Sequence, residues 1–152
     1  MSVIDPSVIS AAQASHKKFW PSGPFVSVTL AQYGLESAWG KYPSGTNNFF
    51  GIKAVKGGSG TVRWTKEFEG GRYISIEQVF ANYPDLVSGF DAHATLLMTS
   101  HYRECQEAQT PKAYCQALHD CGYATDPNYP AKLTQIIDDF NLTQYDQTFG
   151  DS

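Results

Sequence analysis

Phe25-Val26-Ser27-Val28-Thr29-Leu30-Ala31-Gln32-Tyr33-Gly34-Leu35-Glu36-Ser37-Ala38-Trp39-Gly40 is the stretch whose reading decides the fold. It reads as one helix. Val28, Ala31, Leu35 and Trp39 recur at spacings of three and four, which makes an apolar stripe. Ser22-Gly23 and Pro24 mark its start. Gly40 marks its stop, because glycine accepts the left-handed backbone just past a helix end. Glu36 is the only acidic residue in the stretch and sits in the last turn, where the carbonyl dipoles oppose an ionised carboxylate. Trp39, three residues on, is expected to cover it and exclude water. Both effects raise a carboxyl pKa. A carboxyl still protonated near neutral pH is what a general acid needs. The competing reading of a helical glutamate is a solvated surface residue, and the residues around it decide between the two.

Upstream, Pro6 to Trp20 reads as an amphipathic helix with Ile9, Ala12, His16 and Phe19 on one side. Downstream, Lys41 to Lys53 is a loop in which two amides, Asn47 and Asn48, stand beside two rings, Phe49 and Phe50. It is either a turn plugged into the core by its rings or a wall of a cleft. Thr61 to Phe80 reads as a β-hairpin. Val62, Trp64 and Phe68 alternate with Arg63, Thr65 and Glu67, and Gly70-Gly71 forms a two-residue turn. That register puts Glu67 across from Ile74, on one face with Arg63, Thr65 and Glu69. Pro84 to about Arg103 is the next helix, with Leu86, Phe90, Ala94, Leu97 and Met98 facing the core. Thr110-Pro111 opens another that ends at Gly122, and Asp126-Pro127 opens the last, to about Phe140. The polar tail after Tyr145 is expected to fray.

The length of 152 residues suits one domain, 1–152, with no linker, repeat or appended module. Aromatic residues make up 14% of the chain, enough to line a sugar-binding groove as well as a core. A net charge of −4 argues against nucleic acid as a partner. No run of about 18 apolar residues occurs, so no membrane span is expected, and no secretory signal pattern is visible. There is no serine elbow, no Walker loop and no His-Glu-x-x-His motif. Neither the histidines nor Cys105, Cys115 and Cys121 are spaced as metal ligands, so no metal and no cofactor is expected. In an oxidising compartment, at most one intramolecular disulfide is expected, joining Cys105 to Cys115 or Cys121.

The remaining chemistry is that of carboxylates. Thr29-Leu30-Ala31-Gln32 followed by Leu35-Glu36-Ser37-Ala38-Trp39-Gly40 resembles the catalytic helix of the glycoside hydrolase family 73 glucosaminidases, a family that includes the peptidoglycan-hydrolysing domain of flagellar rod proteins and many autolysins. Asn47-Asn48-Phe49-Phe50-Gly51-Ile52-Lys53-Ala54 is similar to the family's next motif. Thr65-Lys66-Glu67-Phe68 is similar to its β-lobe segment, which carries a second glutamate, and Gly122-Tyr123-Ala124-Thr125-Asp126-Pro127-Asn128-Tyr129 resembles its last motif. The matches occur in the family's order and cover most of the chain, from about Val26 to Tyr145. Tyr33 and Phe50 depart from the smaller or aliphatic residues of the pattern, and the cysteines are additional.

The resemblance implies an α+β, lysozyme-like fold in which a mostly helical lobe and a small β-hairpin lobe flank a glycan cleft. It implies cleavage of β-1,4 bonds in peptidoglycan glycan strands, of the N-acetylglucosaminidase type. Glu36 takes the position of the general acid, Glu67 that of the second carboxylate and Tyr123 that of an orienting or charge-stabilising tyrosine. Trp39, Asn48, Phe49, Phe50 and Tyr129 take positions expected to meet substrate. Glu67 either activates water or shares that work with the substrate's own acetamido group. Nothing local ties it to Glu36, so their geometry depends on how far the hairpin folds over the cleft.

Two other glycan activities compete with this reading: a lysozyme-like muramidase and a lytic transglycosylase. From other classes come a silent glycan-binding module and an assembly subunit. A wall-lytic domain without a visible signal implies export by another route, as a phage endolysin or a type VI interbacterial effector, to act in the periplasm or cell wall of a host or target. The effector route implies a cognate immunity protein that plugs the cleft.

Overall fold

The structure is a computed structural model and describes residues 4–146. The frayed tail expected after Tyr145 therefore falls largely outside the described residues. Six helices and one two-stranded antiparallel sheet follow in the order α1 (Pro6–Lys18), α2 (Val26–Ser37), β1 (Thr61–Glu69), β2 (Arg72–Phe80), α3 (Leu86–Leu97), α4 (Arg103–Glu107), α5 (Pro111–Asp120) and α6 (Tyr129–Asp139), with short 3₁₀ turns at Ser100–Tyr102 and Leu142–Tyr145. This is the α+β arrangement of a helical lobe beside a β-hairpin.

Helix α2 runs through the middle of the helical lobe, packed against α1, α5, α6 and the turn at Leu142–Tyr145. The sequence predicts a single apolar stripe. Instead, every residue from Val26 to Gly34 is buried, as is Ser37, so the helix is enclosed on nearly all sides. Leu35 and Glu36 are its only residues with appreciable exposure, and both open onto the same cleft.

The start of α2 carries no cap of its own, because Phe25 occupies the N-cap position. The cap comes from the far end of the chain. The Asp146 carboxylate accepts from Ser27 N at 2.8 Å and from Ser27 Oγ at 2.6 Å, satisfying a free amide and complementing the helix dipole. Asp146→Ala is expected to destabilise the fold by about 1–2 kcal/mol, as other N-cap losses do. Chemical denaturation will check this, and an unchanged unfolding midpoint would refute it.

The end of α2 differs from the expected stop at Gly40. Ala38, Trp39 and Gly40 all take left-handed backbone, at φ 50°, 59° and 87°. Ser37 Oγ donates to Tyr33 O at 2.6 Å and accepts from Gly40 N at 2.9 Å, closing the helix three residues early. The chain then folds back on itself. Trp39 lies over Gly34, where an added Cβ would sit only 2.5 Å from the indole. Its ring also meets Tyr33 at 6.2 Å and Phe140 at 4.8 Å. Trp39 is thus a plug behind α2 rather than a cover over Glu36.

The hairpin keeps the predicted register, with Glu69 opposite Arg72 and Glu67 opposite Ile74. Gly70 and Gly71 have φ of 60° and 82°, the pair of positive values that a type I′ turn requires. A lone hairpin is marginal in water, and this one is held at both ends. At its root, Ala54 N donates to Val79 O and Ala81 N to Ile52 O. Near its tip, Phe68 N donates to Thr125 Oγ1 at 2.7 Å and Tyr73 OH to Asp126 Oδ1 at 3.1 Å.

Two further expectations are corrected. The helix foreseen over Pro84 to Arg103 stops at Leu97, because Gln106 Nε2 takes the carbonyls of Leu97 and Thr99 at 3.0 and 2.8 Å, and the chain restarts as α4. Helix α6 begins at Tyr129 rather than Pro127, because Asp126 accepts from Asn128 N and closes a turn there instead of capping the helix. The three cysteines stand as free thiols in this structure. Burial pushes the Cys115 thiol up to about 12 and Cys105 higher still, which suppresses the thiolate that oxidation needs.

Candidate active site

The cleft lies between the end of α2, the loop at Gly51–Lys53, the β1 edge and the segment Gly122–Tyr129, and encloses about 380 Å³. Glu36 forms part of its inner wall. Gly51, at φ 69°, presents bare backbone to it, and a Cβ there would lie 3.6 Å from Glu36 Oε2. On the other side, the Tyr129 hydroxyl lies within hydrogen-bonding reach of the same carboxyl. Burial pushes the Glu36 pKa up from 4.5 to about 7. The Tyr129 hydrogen bond opposes that rise and the charge of Glu67 adds to it.

Behind Glu36 stands a buried polar chain. His93 Nε2 bonds Gln32 Oε1 at 2.7 Å, and Gln32 Nε2 donates to Tyr129 OH at 2.8 Å. The amide oxygen can only accept, so Nε2 of His93 carries the proton. Burial pushes His93 down to about 3, so it stays neutral. Because Tyr129 accepts from Gln32, its own proton points toward Glu36. Gln32 lies four residues before Glu36, one helical turn away on the same face. That spacing is the sequence signal that could have found it. His93 had no such signal, since α3 brings it in from a distance.

Glu67 lines the cleft from the hairpin. Its Oε2 accepts from Thr125 Oγ1 at 3.0 Å, and its Oε1 lies 3.9 Å from Lys53 Nζ. Thr125 therefore holds both the Glu67 side chain and the adjacent Phe68 amide. With the Tyr73–Asp126 hydrogen bond, this threonine makes the tie between the lobes that the sequence did not reveal. Thr125→Val keeps the shape and removes the hydroxyl. It is expected to lower kcat on glycan about 10- to 100-fold through misplacement of Glu67, with a near-normal unfolding midpoint. An unchanged kcat would show that the tether does not position Glu67.

Tyr123 is in the cleft, stacked on Tyr129 at 6.2 Å, but its hydroxyl donates to Phe50 O at 2.7 Å. Burial and the Glu36 charge hold its phenol well above the usual 10. Asn48 is fully buried. Its amide nitrogen donates to Ile52 O and Ala81 O, and its oxygen accepts from Ile52 N, so it ties the loop to the hairpin root and has no atom left for substrate. Phe49 packs on Tyr33 and Phe90. The Phe50 ring stacks on His93 at 4.0 Å, leaving its backbone at the cleft. Trp39, Asn48, Phe49 and the Phe50 ring thus support the site from behind and do not form its surface. Tyr129 is in the cleft wall, and its hydroxyl is engaged by Gln32.

Among the described residues, no group of three His, Cys, Asp or Glu side chains is placed to hold a metal ion. Also among them, no helix is long and apolar enough to cross a membrane. What the arrangement can do is acid–base chemistry: a half-buried carboxyl that carries a proton near neutral pH, with a second carboxylate across the cleft.

The family model described as mannosyl-glycoprotein endo-β-N-acetylglucosaminidase, Glucosaminidase, matches residues 11–142. The chain belongs to the glucosaminidase family. Among its relatives, exo-glucosaminidase LytG of Bacillus subtilis is 34% identical over 80% of this chain and 46% of its own length. A probable N-acetylmuramidase of Lactococcus lactis is 34% identical over 82% of this chain and 31% of its own length. The chain spans less than half the length of these curated relatives. The crystal structure of a peptidoglycan hydrolase mutant from Sphingomonas sp. A1 is similar at a TM-score of 0.74 and 28% identity, covering 91% of this chain and 92% of that one. The glucosaminidase fold thus accounts for both lobes and for the cleft between them.

Proposed function

We propose that this glucosaminidase-family domain hydrolyses β-1,4 bonds of peptidoglycan glycan strands, and that residues 1–152 act as one catalytic unit. The observation that carries the reading is the placement of Glu36: the one polar residue of an otherwise enclosed helix that opens onto the cleft, held between Gly51 and Tyr129 and facing Glu67. Glu36 protonates the leaving glycosidic oxygen. Glu67 assists attack by water or by the substrate's acetamido group from the opposite side. Tyr129, positioned through Gln32 and His93, orients the Glu36 carboxyl, and Tyr123 closes the wall beside it by holding the Gly51 loop. No cofactor takes part.

Cleavage after N-acetylglucosamine is the bond choice favoured by the family description and by LytG. A muramidase is the second reading, favoured by the N-acetylmuramidase named among the relatives. Digestion of purified sacculi followed by mass spectrometry of the reduced products separates them. Reducing-end N-acetylglucosamine is expected, reducing-end muramic acid means a muramidase, and 1,6-anhydro ends mean a transglycosylase. Sacculi that bind the protein and release no sugar would leave a binding module.

The site of action we propose is the periplasm or cell wall of a host or target bacterium, reached as an endolysin or a secreted effector. In the effector case, an immunity protein occupies the cleft.

A further inference from the structure

The cleft does not end at the two glutamates. Past Ser44, Thr65 and Phe80, which line both spaces, it continues into a second depression of about 340 Å³. Two exposed rings border it, Tyr42 from the loop after α2 and Trp64 from β1. They are 74% and 70% exposed, the most exposed aromatic side chains among the described residues. An indole left this open to water is unfavourable unless something covers it, and exposed apolar surface rimmed by polar groups marks ligand grooves. The depression is built rather than incidental, because Arg63 Nε donates to Ser44 O at 2.8 Å and so fixes the Tyr42 loop against the Trp64 strand. Its charged lining residues are Lys41 and Arg63, on a chain whose net charge is −4, and the nearest acid on the hairpin is Glu77, which pairs with Trp64 across the sheet and does not line the depression.

We propose that this depression is an outer subsite for the same glycan strand, an inference that rests on the hydrolase reading. Tyr42 and Trp64 take the C–H face of a pyranose ring distal to the bond being cut. Lys41 and Arg63 meet the carboxylates of the stem peptide carried by a neighbouring lactyl-bearing sugar. Continuity with the cleft identifies the occupant as the strand already in it. The local positive charge fits the peptide-bearing polymer better than a neutral homopolymer of N-acetylglucosamine.

The test compares three substrates: glycan strands with stem peptides, the same strands stripped of peptides, and soluble N-acetylglucosamine oligomers too short to leave the catalytic cleft. Trp64→Ala is expected to raise KM about 3- to 10-fold on both long strands, the size of one lost ring contact. It should leave kcat and short-oligomer turnover unchanged, and Trp64→Phe should recover most of the loss. Lys41→Ala should raise KM on peptide-bearing strands alone, with the effect fading at high salt. An effect of Trp64→Ala that is equal on short and long substrates, or absent on both, overturns the subsite. Binding of the Glu36→Gln protein to sacculi, with and without Trp64→Ala, gives a readout independent of turnover. Wild-type protein that binds sacculi through Trp64 and releases no sugar ends the hydrolase reading and keeps the subsite. Trp64→Ala protein that binds and cleaves long strands like wild type ends the subsite and keeps the hydrolase.

Discussion

Glu36→Gln is expected to abolish glycan cleavage, lowering kcat by about 10²- to 10⁴-fold, the usual cost of losing general acid catalysis. Glutamine keeps the shape and the contact with Tyr129 and removes the transferable proton. The fold should survive, and above neutrality it should gain. The folded pKa of Glu36, about 7, is higher than the usual 4.5, so the native state binds this proton more tightly than the unfolded chain does. The stability this confers is complete below about pH 4.5, is lost as pH rises toward 7, and does not change further above that. Glu36→Gln removes the dependence and should make the protein more stable than wild type at pH 8, on the order of 3 kcal/mol. At pH 4 the two should be close. Activity of the wild type follows the same proton: it should fall as pH rises through about 7, where the acid ionises. Denaturation at two pH values and a pH–rate profile check both halves. A residual activity above a few per cent, or a wild-type profile flat through pH 7, would remove Glu36 from the acid role.

Glu67→Gln is expected to lower kcat about 10- to 10²-fold, less than the loss at Glu36. The glutamine can still accept from Thr125, so the hairpin stays tethered and the substrate's acetamido group can still assist. The variant carries a second signature. The Glu67 charge helps hold the Glu36 pKa up, so removing it should move the alkaline limb of the pH–rate profile to lower pH. A structural role alone would not shift that limb. Mass spectrometry on a slow substrate should find no sugar attached to Glu67. A covalent adduct there, or an activity loss as deep as that of Glu36→Gln, would make Glu67 a nucleophile and a full partner in the reaction.

Much of this was legible in the residues. The hairpin register followed from period-two alternation and a Gly-Gly turn, both local properties of the chain. The carboxylate at Glu36 stood out as the lone acid in an apolar helix, and the order of four short motifs placed Glu67 with it. The stripe read into α2 was incomplete, because periodicity reports the face a helix turns to one neighbour, whereas α2 has neighbours on almost every side. That enclosure made Leu35 and Glu36 the exceptions, and only packing reveals an exception of that kind.

Sequence alone determined which residues could carry acid–base chemistry and which elements bear them, since residue type, spacing and turn propensity are properties of neighbours along the chain. Tertiary structure decided what each side chain does. Trp39 was expected over the acid, but three successive left-handed residues send it behind Gly34. Asn48, Phe49 and Phe50 were expected to meet sugar, but the loop spends them on its own amides and on the core. Thr125 was given no role of its own, yet its hydroxyl is one of the contacts that join the lobes. His93 reaches Glu36 only through Gln32 and Tyr129, side chains from three different helices. The reason is common to all four. A hydrogen bond or ring contact between distant segments depends on where folding brings them, and no local preference of the chain encodes that meeting.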